Sequence, residues 1–467
     1  MRGRRIAAWT VPLVLCAGLG GYAWADASDL VPGILTTAPE GTLPAPFLSA
    51  ATVTAAPGPT LPVDPLGTAP LPDAAAIQDL AQALRDDPRT GASTNVAVVD
   101  LATGAVLADL DGGSGQVPAS TAKVLTVVAA IATLGRDYHF TTTATWDAQA
   151  QRVTLVAGGD MMLAADAGHG GARNDANGWA GLGDLARATA SVLAAHGATA
   201  VTVAVDDSAY PEQKPPAWPA YVIQSGYGAP VSGLAVNVAK TQDALYASRW
   251  PDPSLNAAQT FTAQLVAAGV DATLVGHADA TGEAVATVDS APLWLVVEHL
   301  IHESDNTIAE LVSRQLGLET GRDGTSAGGA AAVMEALAAV GLDTTGLELY
   351  DGAGYSTQNR VSPFHLVNAM RLTMTTPELE HFLEWLPVGA MEGTVADRFG
   401  GTPAAGLMRA KTGSLTGVTS LAGIVQTADG RVLAFAVLAD GMPYGQDRPR
   451  TAIDEFITAL ANCGCGG

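Results

Sequence analysis

The sequence predicts an α+β fold, an antiparallel sheet flanked by helices, interrupted by an inserted β-rich region. Three observations carry that prediction. A hairpin pattern stands early, at 96–108, and another stands late, at 420–438, followed by a terminal helix. From Pro292 to about 340 the apolar residues recur at helical spacing. Between 141 and 290 the chain instead breaks into short strand-like runs separated by turns. The early and late segments then share one sheet, and the middle is an insertion.

The elements follow in order. Met1–Arg5 is basic and leads into an apolar run from Ile6 to about Ala25, ending in Ala23-Trp24-Ala25. That is the form of an export signal, with a membrane anchor through residues 6–25 as the alternative. Either form predicts an exported chain in the cell envelope, secreted or N-terminally anchored. Residues 26–72 hold ten prolines and no helical period, as a linker does. The first part of the main domain spans 73–140. In it, Asp73 to Asp86 is an amphipathic helix with Ile77, Leu80, Ala81 and Leu84 on one face. Val96–Asp100 and Val106–Ala108 form the hairpin around Ala102-Thr103-Gly104, and Thr121–Leu134 is an apolar helix. Within the insertion, strands are expected at 141–146, 153–157, 201–206 and 285–288, helices near 182–195 and 255–268, and a loop at 164–180. The second part, 291–461, holds helices at 292–302, 306–317, 326–340 and 450–460. Its strands are 420–426 and 432–438. A Gly/Cys tail, 462–467, is expected to fray.

Composition narrows the function. Acidic residues outnumber basic ones 46 to 23, a net charge of −23, which argues against nucleic acid as a partner. The three cysteines, one in the leader and two in the tail, allow neither a disulfide framework nor a cysteine zinc site in the body. Only four lysines occur, Lys123, Lys214, Lys240 and Lys411, so each invites a question about its role.

Two of the four sit in motifs. Ser120-Thr121-Ala122-Lys123 opens a helix, which puts Ser120 and Lys123 one turn apart on one face. The helix N-terminus favours developing negative charge, and a desolvated lysine gives up its proton readily and can take one from the serine. Ser304-Asp305-Asn306 lies at the break between two helices, where all three types also cap well. Lys411-Thr412-Gly413-Ser414 precedes a strand, and on its own reads equally as a turn. Taken singly, the first two motifs are ordinary helix caps. Together, in the order S-x-x-K, S-x-N, K-T-G, they form the signature of penicillin-interacting serine enzymes.

Residues 90–134, Gly158-Gly159-Asp160, Ala229–Asn237, Asp351-Gly352-Ala353-Gly354 and Arg409–Gly423 carry a wider resemblance. With the three motifs, they resemble class C low-molecular-mass penicillin-binding proteins, a family of D-alanyl-D-alanine carboxypeptidases and endopeptidases with the serine β-lactamase/DD-peptidase-like fold. Members carry extra domains between the first two motifs; here Ser304 follows Ser120 by 184 residues. Met161-Met162 and Ser414 depart from the family's usual Pro-Thr and threonine, and the insertion is short. The resemblance implies that Ser120 attacks the penultimate D-alanine carbonyl with Lys123 as general base. Ser304 would relay a proton to the departing amine, and Lys411 would keep that network polarised. Asn306 would bond substrate and Lys123; Lys411, Thr412 and Ser414 would hold the terminal carboxylate. The backbone N–H groups of Ser120 and Ser414 would form the oxyanion hole. Peptidoglycan stem peptides are the implied substrate and β-lactam antibiotics the implied inhibitors, with no cofactor and no metal.

Other groups read more plainly. His299 and His302 share a helix surface without a third ligand, and Asp86-Asp87 and Asp206-Asp207 read as solvated ends and turns. Lys240 belongs to no motif. Because 141–290 contains none of the three motifs, the chemistry is expected to reside in the flanking halves. A serine β-lactamase is the alternative function, and a non-catalytic wall-binding protein on the same scaffold is a third.

Overall fold

The computed structural model describes residues 19–20, 22–25, 68–91, 93–442 and 447–464. The export signal, apart from helical positions 19–20 and 22–25, the Pro-rich stretch to residue 67 and Cys465 lie outside the described residues. No helix among the described residues is long and apolar enough to cross a membrane. Contacts divide the chain into two units, 1–63 and 64–467; the fold described here is that of the second.

The main sheet joins the two ends of this unit. Strands β1 (Ser93–Asp100) and β2 (Val106–Leu110) come from the early hairpin, and β10 (Met408–Leu415), β11 (Val418–Gln426) and β12 (Val432–Asp440) from the late segment. Their order is β10-β11-β12-β1-β2, antiparallel throughout. Alternation along β1 explains the layering. Val96 and Val98 pack with Ile77, Ala81 and Leu84 of helix α1 (Ala74–Asp86) and with Ile453, Phe456 and Ile457 of the terminal helix. Ala97 and Val99 face the opposite way, toward Val124, Val127 and Val128 of α2 (Lys123–Leu134). Covered on both faces, β1 is an unbroken apolar run, and this is why Val96–Val99 lacks the polar alternation of an exposed strand.

Two of the late elements differ from expectation. The Lys411-Thr412-Gly413 segment is not a turn leading into a strand; it lies within β10, an edge strand whose Lys411 pairs with Ala422 and Gly413 with Ser420. The tail does not fray at Cys463: its N–H bonds the Leu460 carbonyl, its carbonyl accepts from Ala428 N, and it packs against the sheet's outer core. The helical block consists of α5 (Leu293–His302), α6 (Asn306–Glu319) and α7 (Ser326–Ala339), with α8 (Pro363–Arg371) unforeseen.

Residues 141–290 build a second sheet with the order β8-β6-β4-β3-β9. Its strands are β3 (Thr141–Asp147), β4 (Arg152–Val156), β6 (Ala200–Asp206), β8 (Asp271–His277) and β9 (Glu283–Asp289). The β4–β6 and β6–β8 pairs are parallel. Parallel neighbours need a crossover, and α3 (Leu182–Ala195) and α4 (Pro253–Ala267) provide it. The insertion is therefore mixed α/β rather than simply β-rich. Its first and last strands are partners, Thr141 opposite Asp289, so the chain enters and leaves at one place. Two short strands, β5 (Asp160–Leu163) and β7 (Leu234–Val236), pair separately.

Candidate active site

Three elements bring the motif residues together. Ser120 sits in a 3-10 turn, Ala119–Ala122, that runs directly into α2, whose first residue is Lys123. The Lys123 side chain is fully buried, and its Nζ lies 2.7 Å from Ser120 Oγ, 2.7 Å from Asn306 Oδ1 and 2.7 Å from the Ala353 carbonyl oxygen. Burial depresses its pKa to about 7, against the opposing charges of Asp351 and Asp305.

The second motif occupies the kink between α5 and α6. Ser304 takes a left-handed φ of +54°, a conformation that costs a non-glycine residue about 1–2 kcal/mol. Asp305 caps α6, accepting from Thr307 N (2.8 Å) and Ile308 N (3.0 Å). Ser304 Oγ accepts from Lys411 Nζ at 2.9 Å, and the same ammonium donates to the Thr412 carbonyl at 2.8 Å. Lys411 is also fully buried; burial, and then the charge of Lys123, hold its pKa well below the usual lysine value. Two buried amines in one another's field cannot both be charged cheaply, so at neutral pH the site favours a neutral amine beside a serine.

Glycines let the pieces approach. A side chain at Gly413 would place a Cβ 3.0 Å from Ser120 N, 2.8 Å from the Pro118 carbonyl and 2.1 Å from Ser420 Oγ. Gly354, at φ +80°, would bring one to 2.0 Å from the Ala119 carbonyl. The Pro118 carbonyl is in turn fixed by Ser420 Oγ and Thr121 Oγ1, each at 2.6 Å. Thr412 Oγ1 donates to Thr394 Oγ1 (2.8 Å), and Ser414 is exposed near the end of β10. So Ser120 and Asn306 are bonded through Lys123, and Ser304 and Thr412 through Lys411, with the two lysines close enough to feel one another's charge.

The insertion also reaches this centre, with supporting groups rather than motif residues. Asn306 Nδ2 donates to the Tyr227 carbonyl (2.8 Å), Ala229 N donates to Thr307 Oγ1 (2.9 Å), and Trp218 Nε1 donates to Asp351 Oδ2 (3.1 Å). These contacts, the Ala353 carbonyl and Thr394 were missed from sequence. Most are backbone groups, which carry no residue signature; Asp351-Gly352-Ala353-Gly354 and Ala229–Asn237 were the available signals.

The remaining clusters behave as solvated or paired groups. Asp207, Asp252 and His277 gather in the insertion, but each imidazole nitrogen already meets a carboxylate, Nδ1 to Asp207 at 3.1 Å and Nε2 to Asp252 at 2.9 Å. Burial lowers the His277 pKa, yet the bonds and charges of Asp252 and Asp207 outweigh it and raise the value. His299 stands 3.9 Å from Asp175.

Comparison with known proteins agrees with this geometry. The profile of the D-Ala-D-Ala carboxypeptidase 3 (S13) family matches residues 76–250 and 239–463. A protein of Mycolicibacterium smegmatis named carboxypeptidase DacB is 35% identical over 474 residues, covering 99% of this chain and 97% of its own. A D-alanyl-D-alanine carboxypeptidase of an Actinomadura species is 29% identical, covering 86% of this chain and 89% of its own. Among solved structures, penicillin binding protein 4 of Haemophilus influenzae superposes with a TM-score of 0.66 at 21% identity, over 82% of this chain and 98% of that one, a likeness of fold.

Proposed function

The chain belongs to the D-Ala-D-Ala carboxypeptidase 3 (S13) family and is a serine-type D-Ala-D-Ala carboxypeptidase, and we propose that it cleaves peptidoglycan stem peptides through an acyl-enzyme on Ser120. The observation that carries the mechanism is the 2.7 Å contact between a fully buried lysine and the serine hydroxyl. When Lys123 is neutral, its lone pair accepts the Ser120 proton as Oγ adds to the penultimate D-alanine carbonyl. The N–H groups of Ser120 and Ser414 receive the oxyanion, a stabilisation for which losing one donor costs about 10²–10³ in rate. The proton that Lys123 has taken is relayed through Ser304 Oγ to the departing D-alanine amine, which leaves Lys123 neutral again, and Lys411, 2.9 Å from Ser304 Oγ, keeps the relay polarised. Asn306, pinned between Lys123 and the Tyr227 carbonyl, orients the substrate amide. Lys411, Thr412 and Ser414 line the place for the terminal carboxylate. Water then hydrolyses the ester.

β-Lactams fit the same centre as acylating inhibitors, in keeping with a Haemophilus influenzae penicillin binding protein 4 structure described as complexed with a β-lactam. We further propose that the chain acts outside the cytoplasm, on the strength of Met1–Arg5, the apolar run to Ala25 and Ala23-Trp24-Ala25. N-terminal sequencing of the protein recovered from cells separates a cleaved signal, beginning at Asp26, from a retained anchor.

One assay tests the activity. Purified protein is given a D-Ala-D-Ala peptide and, separately, a fluorescent penicillin. D-alanine release with a long-lived label supports the reading. Rapid loss of label with no D-alanine would make the protein a β-lactamase, and neither result would make it a binding protein.

A further inference from the structure

Lys123 has three partners, and the least expected is a main-chain carbonyl, that of Ala353. The turn that delivers it is held by one carboxylate. Asp351, 1% exposed, collects five donors. Gly354 N (2.6 Å), Tyr355 N (3.2 Å) and Asn359 Nδ2 (3.3 Å) bond Oδ1; Ser356 N (2.7 Å) and Trp218 Nε1 (3.1 Å) bond Oδ2. The next residue is fixed as well: Gly352 N donates to Glu310 Oε2 (2.9 Å), and the Gly352 carbonyl accepts from Thr126 Oγ1 (2.8 Å). Glu310 is paired with Arg314 at 2.9 Å, whereas every donor to Asp351 is neutral. The Asp351 charge is thus left to act on the lysine beyond the turn.

We propose that Asp351 is a positioning residue for the base, holding the Ala353 carbonyl against Lys123 and supplying the negative field that balances the lysine's burial. The idea rests on Lys123 as the base. Burial and the Glu310 charge raise the Asp351 pKa on balance, and its N–H donors oppose that rise, so the donors are what keeps the carboxylate form accessible. The other charged groups acting on Lys123 are Asp305, the cap of α6, and Lys411 from β10; Glu310, paired with Arg314, acts on Asp351, and Arg249 from the insertion faces Asp305. Trp218, an insertion residue, braces the turn, so the base is tuned partly from outside the motif-bearing halves.

The test is the pH dependence of the limiting penicillin-acylation rate. In the wild type it rises through about 7 as Lys123 loses its proton. Asp351→Asn removes the charge at constant size; the limb moves to lower pH by about one unit, and the limiting rate falls about tenfold as the carbonyl loosens. A folded Asp351→Asn with an unmoved limb overturns the proposal. Because an amide nitrogen there must face N–H donors, Trp218→Phe is the gentler second variant. It deletes one of the donors that favour the carboxylate, weakens the negative field on Lys123, and moves the limb to lower pH, less far than Asp351→Asn does. No movement, or movement in the other direction, overturns the proposal even where Asp351→Asn does not fold. Lys123→Ala distinguishes the two levels: near-wild-type acylation in that variant removes the base reading itself, whereas a dead Lys123→Ala beside an unmoved Asp351→Asn limb removes only the role of Asp351.

Discussion

The segments that flank 141–290 and the insertion itself meet the catalytic centre in different chemical currencies. The flanks supply side chains: Ser120, Lys123, Ser304, Asn306 and Lys411. The insertion supplies the Tyr227 carbonyl, the Ala229 N–H and the Trp218 indole. In the mechanism we propose, the first group performs proton and acyl transfer; the second bonds Asn306, Thr307 and Asp351 beside it. A region without a catalytic motif can therefore be part of the catalytic geometry, because orientation is fixed by whatever bonds the reacting groups, backbone included.

Four tests, with five substitutions between them, break or sharpen that contrast. Ser120→Ala has the largest effect: it abolishes both D-alanine release and covalent penicillin labelling, since Ser120 carries the hydroxyl bonded to Lys123. Intact-mass spectrometry after penicillin treatment checks it, and an adduct on the variant would reassign the nucleophile. The two buried lysines come next and fail differently. Lys123→Ala slows the limiting acylation step about 10²–10⁴-fold. Lys411→Ala weakens both penicillin binding and acylation, because the ammonium orients a carboxylate as well as Ser304. Acylation rate measured against penicillin concentration separates the two.

The third test is aimed at the seam. Thr307→Val removes the hydroxyl that accepts from Ala229 N and leaves a buried N–H without its partner, at about 1–3 kcal/mol. The melting temperature drops, and acylation falls far less than in Lys123→Ala. An unchanged melt would mean the insertion does not lean on this contact. The smallest effect lies inside the insertion. His277 is held between Asp207 and Asp252 with a raised pKa, so its charged form is the one the fold favours. Its contribution is fully present below the unfolded value, about 6.5, and is lost as pH rises through the higher folded value. Melting curves of wild type and His277→Gln should differ at low pH and converge at high pH, with equal acylation rates throughout. A gap that ignores pH would contradict the charge pairing.

Legibility from the sequence followed the kind of signal. Helix 74–86 was plain because Ile77, Ala81 and Leu84 keep one face, and Asp73 caps it by accepting from Ala76 N. The hairpin strand at 96–100 was plain as an apolar run bounded by turn residues. The strand at 408–415 was not: Arg409, Lys411, Thr412 and Ser414 give it no apolar alternation, and it is a strand because β11 pairs with it from Met408 to Leu415. The parallel pairs β4–β6 and β6–β8 were equally hidden, since pairing direction depends on crossovers between distant segments.

Ser120, Lys123, Ser304, Asn306 and Lys411 were singled out by the order of the three motifs and by the family resemblance those motifs carry. Their states could not be named. The Lys123 pKa falls to about 7 because the folded chain closes over it and removes its water, and Asn306 is held because Tyr227, 79 residues earlier in the chain, turns its carbonyl inward. Chemical identity is local and is written in the sequence; desolvation and the partnering of backbone groups are properties of the space between segments, and arise only when the chain is folded.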